Sequence, residues 1–217
     1  MTNKPKKRSF PKLKKLPSWA KEALQGVAYW MGHRRCLFRH YPLAEGALVA
    51  EICNLIHANL HGSLMLRCEV LYAELLPEAP EPKHVGKGEK ILTEKSRADL
   101  VVSEVSPHSG TKPRPKFIIE VKRASAPKAY IDADLRRLAE VRHGYPGARA
   151  FLFLISEANR PDRFVNEKGS SRTGRHPIPN SKDHFRVRRT WKAAHAFKNR
   201  DRAQYACLLE VYIRKTT

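Results

Sequence analysis

The segment KFIIEVKRA, residues 116–124, constrains the fold most because it places a carboxylate and an ammonium inside an apolar run. Its apolar, β-branched content predicts a strand, so Glu120 and Lys122 point to the same face. The preceding apolar run, ADLVVSEV at residues 98–105, has Asp99 as its second residue. The Pro- and Gly-rich connection between the two runs predicts a hairpin. Two carboxylates on adjoining strands need a cation, a hydrogen-bond network or a metal to offset their desolvation.

Helices and further strands are predicted around this pair. Apolar residues recur at helical spacing from Ser18 to Arg39, from Leu43 to about Leu60, and over residues 129–147, where Gly144 is placed to end the helix. Strands are predicted for SLMLRCEVLYAELL (63–76), for RAFLFLISEA (149–158), a continuous apolar run typical of burial on both faces, and for YACLLEVYI (205–213). We therefore expect an α/β fold with a central mixed sheet flanked by helices.

The length and composition predict one domain. A chain of 217 residues that is 41% hydrophobic buries one ordinary core, which we place over residues 18–217. Residues 1–17 predict a flexible basic arm, because seven Lys or Arg residues lie between Lys4 and Lys15 among prolines. The four cysteines have no paired spacing, which indicates reduced thiols in a core rather than a disulfide framework: Cys36, Cys53, Cys68 and Cys207.

A basic insertion precedes the last strand. From Arg160 to Arg202 there are thirteen Lys or Arg residues against four acids, and no strand is expected before Tyr205. Within it, HFRVRRTWK interleaves aromatics with cations, a pattern that suits base stacking and phosphate contacts by Arg186, Arg188, Arg189 and Lys192. We expect such a segment to fold back from the sheet and hold a duplex over the carboxylates. A solvated loop ending in a helix packed by Trp191 and Phe197 is the equally favoured alternative.

The charge of the chain indicates its partner. A formal net charge of +21 exceeds what solubility requires and favours a polyanion, with nucleic acid the default candidate. No apolar run approaches the roughly 20 residues of a spanning helix, and the N-terminus lacks the apolar core of a signal peptide. We expect no membrane partner and a cytoplasmic location. The oligomeric state is open, with a homodimer among the options.

The charged residues of the two central strands suit metal-assisted phosphate chemistry. Asp99 and Glu120 offer hard oxygen ligands of the kind that Mg²⁺ or Mn²⁺ prefers. The ammonium of Lys122 could orient a water and stabilise charge as that water attacks phosphorus. The alternative is that Glu120 and Lys122 form an edge-strand charge pair at a solvated face, which would contribute little.

Asp99, followed after about twenty residues by Glu120-Val121-Lys122, resembles the PD-(D/E)xK motif of the restriction-endonuclease-like nuclease superfamily. The predicted element order is similar to the αβββαβ core of that superfamily over residues 43–157. Ala98 stands where the family has its nominal proline, although many members lack that proline.

The resemblance implies roles for individual residues. Asp99, Glu120 and the carbonyl of Val121 would ligate one Mg²⁺ or Mn²⁺, while Lys122 and a helix glutamate would position water. Glu45 is our choice for that glutamate, because it shares a helix side with the apolar residues expected to pack on the sheet: Leu48, Val49 and Ile52. Glu51 and the strand residue Glu69 are the alternatives.

The sequence thus predicts a Mg²⁺-dependent endonuclease that hydrolyses phosphodiester bonds of DNA, most readily double-stranded DNA. The resemblance implies 5′-phosphate products. Two alternatives remain open: a non-catalytic nucleic-acid-binding module on the same fold, and a ribonuclease of the same superfamily. Arg97 and Arg123, which flank the motif residues, are equally suited to contact the scissile phosphate and to balance charge.

Two other clusters favour structural interpretations. His33, Cys36 and His40, with His57 and His61, have spacings that a zinc site can use, but structural zinc sites usually have tighter paired ligands. Tyr130, Asp132 and Asp134 fall at the start of the helix that follows Lys122, where acids favour the N-terminal dipole.

Overall fold

A computed structural model describes residues 13–37, 43–76, 92–93, 95–105 and 113–214 of the chain. Its helices are α1 (Ser18–Leu37), α2 (Glu45–Asn59), α3 (Tyr72–Leu75) and α4 (Lys128–Gly144). Its strands are β1 (Leu64–Leu71), β2 (Arg97–Glu104), β3 (Arg114–Arg123), β4 (Arg149–Ser156), β5 (His176–Pro177), β6 (His184–Lys192) and β7 (Tyr205–Tyr212).

The seven strands form one mixed sheet in the order β1-β2-β3-β4-β7-β6-β5. Strands β1, β2 and β3 pair antiparallel, with Leu100 opposite Ile119. Strand β4 runs parallel to β3, as a helical connection through α4 allows, and the remaining neighbours are antiparallel. From α2 to β4, leaving the short α3 aside, the order is helix, three strands, helix, strand. The predicted α/β fold with a central mixed sheet is confirmed.

Helices cover both faces of the sheet. Helices α1 and α2 pack on one face, in a cluster that includes Leu48, Ile52 and Ile119. Helix α4 packs on the other, where Leu135 and Ile118 share a cluster with residues of the 164–178 segment. Side chains alternate along β3, so Glu120 and Lys122 lie on the α4 side, toward the carboxyl end of the strand. Strand β4, predicted to be buried on both faces, is buried from Ala150 to Ser156.

The strand predicted over residues 63–76 is shorter than expected. Strand β1 ends at Leu71 and the chain turns into α3, with the Tyr72 amide donating to the Ser96 carbonyl at 3.0 Å. Just before this turn Glu69 adopts a positive φ of 53°, a strained backbone conformation for a residue with a side chain. The strand prediction was wrong over residues 72–76, because apolar content alone does not separate a strand from a buried helical turn.

The expectation that the basic insertion contains no strand was wrong. HFRVRRTWK is strand β6, paired with β7 from His184 to Lys192, and neither folds back from the sheet nor ends in a helix packed by Trp191. Phe185 and Val187 are buried at alternate positions, which is the period of a strand. A short 3₁₀ helix, Ala194–Phe197, follows the strand.

The cysteines are not all in the core. Cys207 is buried, but Cys36 and Cys68 are exposed and Cys53 is half-buried, with 3.3 Å between the Sγ atoms of Cys53 and Cys68. All four are free thiols, as predicted. The core prediction failed for three of them because Cys is small enough to occupy a surface position without cost.

Several predicted features fall wholly or partly outside the described residues. They are positions 1–12 of the basic arm, 38–42 after α1, most of the loop after residue 76, and 106–112 of the hairpin connection. The carbonyls of Lys14 and Lys15 accept hydrogen bonds from Arg188 and Arg149 at 2.6 and 2.8 Å. No helix among the described residues is long and apolar enough to cross a membrane.

Candidate active site

Asp99 and Glu120 meet between β2 and β3. Glu120 is 3% exposed and Asp99 is half-buried, and the two lie close enough for each to affect the pKa of the other. The Oδ2 atom of Asp99 also accepts from the backbone amide of Val121 at 2.7 Å. The two carboxyl groups that the sequence placed on adjacent strands therefore lie close together, at the end of the sheet where β2 begins and β3 ends.

Two further side chains surround Glu120. The buried hydroxyl of Tyr72, at the start of α3, donates to Glu120 Oε1. From α4, Arg137 Nε lies 4.0 Å from the same oxygen. The Tyr72 hydroxyl and the Arg137 guanidinium thus offset the loss of hydration that the Glu120 carboxyl group undergoes on burial.

Lys122 lies between two acids from opposite layers. Its Nζ is 2.7 Å from Glu45 Oε1, at the first residue of α2, and 3.4 Å from Asp134 Oδ2 on α4. Asp134 is also paired with Arg137, one turn further along α4. Glu45, the helix glutamate chosen from sequence, is therefore in direct contact with Lys122. Asp134, predicted to be structural, belongs to the same cluster.

Burial shifts the pKa values of the two central carboxyl groups upward. It raises the pKa of Glu120 well above its usual range, and the adjacent Asp99 raises it further, against a lowering by the Tyr72 hydroxyl. Burial also raises the pKa of Asp99, although hydrogen bonds from Val121 and Glu120 oppose this. In the absence of a further cation, the pair holds a proton more tightly than free carboxyl groups do.

The pKa of Lys122 is shifted against the effect of its burial. Burial alone lowers the pKa of this ammonium, but the hydrogen bond to Glu45 and the charge of Asp134 outweigh it, so the pKa is raised. Lys122 is thus a firmly protonated donor at neutral pH. An ammonium of this kind stabilises negative charge and does not act as a general base.

Sequence reasoning did not identify Tyr72, Asp134 and Arg137. Tyr72 was predicted to lie inside a strand, and nothing in the sequence indicated that its hydroxyl group contacts Glu120. For α4 a signal existed: Asp134 interrupts the apolar side formed by Ile131, Leu135 and Leu138, and a buried acid on such a side needs a partner. Asp132, by contrast, pairs with Arg163 at 2.5 Å, and Tyr130 is 64% exposed.

The remaining predicted site residues lie at varying distances from this cluster. Val121 contributes its amide, and its predicted role as a carbonyl ligand stays a prediction. Glu69 is near enough for its charge to raise the pKa of Asp99, and Arg97 donates to the Glu69 carbonyl at 3.3 Å. Arg123 pairs with Glu157 at 3.5 Å. Among the described residues, no ion pair or hydrogen bond joins Glu51 to the cluster.

The basic residues of β6 differ in their exposure and in their position along the sheet. Arg188 is held by Glu210 and Tyr212, with 9% of its side chain exposed, so we do not retain it as a phosphate contact. Register through β4 and β7 places Thr190 in the row of Lys122, so Arg189 and Lys192 lie toward the same end of the sheet, and Arg186 lies further from it. The guanidinium of Arg189 lies 4.9 Å from the ring centre of Trp191.

The donor chemistry of the pair fits a hard divalent cation. Burial raises the pKa of both carboxyl groups and the charge of Asp99 raises that of Glu120 further, and a cation that binds both groups would replace the proton they hold. Within the described part of the chain, no three His, Cys, Asp or Glu side chains are grouped so as to hold a metal ion, so substrate or water would have to complete the coordination. His40, of the zinc alternative, lies outside the described residues.

Comparison with known proteins gave no match for this chain among family models, curated proteins or solved structures. Fold and site define the class: an α/β protein with a carboxyl pair, of which Glu120 is buried, and a salt-bridged lysine at one end of a mixed sheet.

Proposed function

We propose that this protein is a metal-dependent nuclease that hydrolyses phosphodiester bonds of DNA at the Asp99–Glu120–Lys122 cluster. The observation that carries the proposal is the proximity of a buried carboxyl group, Glu120, and a half-buried one, Asp99, on adjacent strands, with a lysine ammonium two residues away from Glu120. Neighbouring buried acids destabilise the native state when they ionise, and such an arrangement is typical of functional sites.

Asp99 and Glu120 would hold Mg²⁺ or Mn²⁺ through their carboxylate oxygens. When bound, the cation supplies charge to the scissile phosphate and to the attacking water. The amide of Val121 fixes Asp99, and the hydroxyl of Tyr72 fixes Glu120, so both oxygens are oriented before any ligand arrives. Restriction-endonuclease-like nucleases are the family in which this arrangement would be expected.

Lys122 would stabilise the negative charge that develops on the phosphate. Its ammonium is held in place by Glu45 on one side and Asp134 on the other. Because the pKa of Lys122 is raised, it would act as a fixed hydrogen-bond donor toward the phosphate or the water. Glu45, whose side chain is 40% exposed, is the group placed to accept a hydrogen bond from that water.

The charge of the chain supports a nucleic-acid substrate, and a ribonuclease is the nearest alternative. The net charge of +21 and the position of Arg189 and Lys192 toward the catalytic end favour a phosphate backbone without distinguishing DNA from RNA. A non-catalytic binding module would use the same charges but would not require Asp99 beside the buried Glu120.

Digestion of a substrate panel tests the proposal. Supercoiled plasmid, linear duplex, single-stranded and branched DNA, and RNA of matched sequence are incubated with Mg²⁺ or Mn²⁺. We expect divalent-dependent cleavage of DNA that is lost in Glu120→Gln. Cleavage of RNA alone would identify the ribonuclease, and binding without cleavage under any metal would identify the non-catalytic module.

Metal binding is separable from turnover. Calorimetric titration with Mg²⁺ is expected to show binding in the wild type and in Lys122→Ala, and none in Asp99→Asn or Glu120→Gln, because only the carboxyl groups supply ligands. Lys122→Ala should nevertheless suppress cleavage. Equal metal binding in the wild type and Asp99→Asn would remove Asp99 from the site.

A further inference from the structure

A large basic cavity lies at the other end of the sheet from the catalytic cluster. It measures about 1160 Å³ and lies between the end of α4, the start of β4 and β6, and the end of β7. Along α4, Asp134 of the catalytic cluster and Arg142 of the cavity wall are eight residues apart, about 12 Å of helix. The cavity is thus a separate feature of the molecule.

Cations dominate the wall of this cavity. Seven Lys or Arg side chains and two histidines line it, against the two carboxyl groups of Asp183 and Glu210. Concave surfaces lined by one sign of charge concentrate ions of the opposite sign. The wall therefore favours an anionic ligand.

Both carboxyl groups are already engaged within the wall. Glu210 is 2% exposed and accepts from Arg149 at 2.7 Å, from Arg188 and from the Tyr212 hydroxyl at 2.6 Å. Asp183 accepts from the Arg214 amide at 2.8 Å and from Ser181, and it contacts His143 at 2.9 Å. Within the part of the chain that the structure describes, neither acid pairs with Arg142 or Arg186.

The remaining cations are crowded and desolvated. The Nε atom of Arg142 is buried and has no hydrogen-bond partner among the described residues. Burial lowers the pKa of Arg142, and the nearby charge of Arg149 lowers it further. Burial likewise lowers the pKa of Arg188, a neighbour of the wall that does not line the cavity, and the charges of Arg149 and Arg186 act in the same direction against Tyr212. An anion bound here would offset this repulsion.

We propose that this cavity binds a phosphate-bearing ligand, held by the guanidinium groups of Arg142 and Arg186. Arginine suits this role because its planar donors match phosphate oxygens in pairs. The ligand is either the phosphorylated end of a nucleic-acid strand or a small phosphate compound. The proposal does not depend on nuclease activity, since it rests on the far end of the sheet.

Titration calorimetry with full-length protein in EDTA tests the site without metal at the catalytic carboxyl groups. Tripolyphosphate is expected to bind the wild type at a ratio of one to one. Arg142→Gln/Arg186→Gln should bind at least about ten-fold more weakly, since each lost charged hydrogen bond contributes about 1.5 kcal/mol or more. Glu120→Gln should bind as the wild type does, which separates this site from the catalytic one.

Two further double variants serve as controls. Arg142→Lys/Arg186→Lys keeps the charge but lacks the paired planar donors, so it should bind more weakly than the wild type and more tightly than the Gln variant, and it covers a failure of the Gln variant to fold. Lys21→Gln/Lys198→Gln removes the same charge from exposed positions outside the cavity and should bind within about two-fold of the wild type.

Thymidine trinucleotides with and without a 5′-phosphate separate the two ligand sources. Tighter binding of the phosphorylated trinucleotide than of tripolyphosphate identifies a strand end, and the reverse order identifies a small phosphate compound. Either order of affinity supports a phosphate-binding site in the cavity. The proposal is overturned if neither phosphate probe binds the wild type, or if the Lys21/Lys198 control weakens binding as much as the cavity variant does.

Discussion

In the environment of Glu120 a neutral side chain would stabilise the native state more than a carboxylate does. Glu120 is buried at 3% exposure, lies close to the Asp99 carboxyl group and relies on Tyr72 and Arg137 for stabilisation. Glutamine has nearly the same shape, could donate to Asp99 and would carry no charge. An acid at this position therefore costs stability at neutral pH, as expected if the site binds a cation, which is our proposal.

Glu120→Gln should stabilise the metal-free protein in a pH-dependent way. Because the pKa of Glu120 is raised in the native state, its contribution to stability is fully present below the ordinary Glu pKa and is lost as the pH rises through the native value. In urea unfolding we expect the variant to exceed the wild type by about 1 kcal/mol or more at pH 7.5, and this gain to shrink at pH 4.5. The exposed Glu22→Gln is the control. A gain that is equal at both pH values would contradict the assigned cause.

Asp134 and Asp132 form a matched pair on α4 for testing the position of Lys122. Asp134 contacts Lys122 and Arg137, whereas Asp132 pairs with Arg163 outside the cluster. We expect Asp134→Asn to lower kcat about ten-fold or more with little change in KM, because Lys122 loses one of its two anchors. Asp132→Asn should leave kcat near the wild-type value. Equal kcat losses in the two variants would reduce Asp134 to a structural role.

At the scale of elements, apolar runs were the reliable signal. Strands β2, β3 and β4 and helix α4 were predicted because their apolar periodicity is strong, and their order already placed Asp99, Glu120 and Lys122 together. Strand β6 was missed because the alternation of Phe185 and Val187 with arginines spans only four residues before the register shift between Val187 and Arg189 interrupts it. Those arginines are tolerated in a strand because partners such as Glu210, which no local pattern reveals, lie on the neighbouring strand.

Arg188 and Arg189 provide a direct test of β6. Arg188→Met removes a buried partner of Glu210 and should destabilise the protein by about 2 kcal/mol or more in urea unfolding. Arg189→Met, at an exposed position on the same strand, should change stability by no more than about 0.5 kcal/mol. Similar small effects for both would mean that Arg188 does not pair with Glu210 in solution.

At the scale of the whole molecule, positive charge is distributed over at least three regions. They are the N-terminal segment, the end of the sheet with the Asp99–Glu120–Lys122 cluster, and the cavity at the opposite end. The tertiary arrangement separates the last two, and this could not be predicted from the sequence because residues of the cavity wall come from five separate parts of the chain. The net charge predicted a polyanionic partner but gave no indication of how many sites it would have.

Removal of residues 1–12 tests the contribution of the N-terminal charges. The truncation ends before Lys14 and Lys15, whose carbonyls are bound by Arg188 and Arg149. We expect weaker DNA binding and a flatter dependence of log affinity on log salt, by up to about 0.9 for each phosphate that the truncated protein no longer neutralises. The cleavage rate at saturating DNA should stay near that of the wild type. An unchanged salt slope would exclude binding of phosphates by this segment.

The most direct test of the central claim is the single-turnover rate of DNA cleavage in Mg²⁺, measured at saturating DNA for the wild type, Glu120→Gln and the control Glu22→Gln. The two variants replace the same carboxyl group by an amide, one at the buried Glu120 of the carboxyl pair and one at an exposed position of α1. We predict divalent-dependent cleavage by the wild type and Glu22→Gln, and a loss of about 10³-fold or more in Glu120→Gln. Cleavage by Glu120→Gln at the wild-type rate would contradict the assignment of the carboxyl pair as the catalytic site.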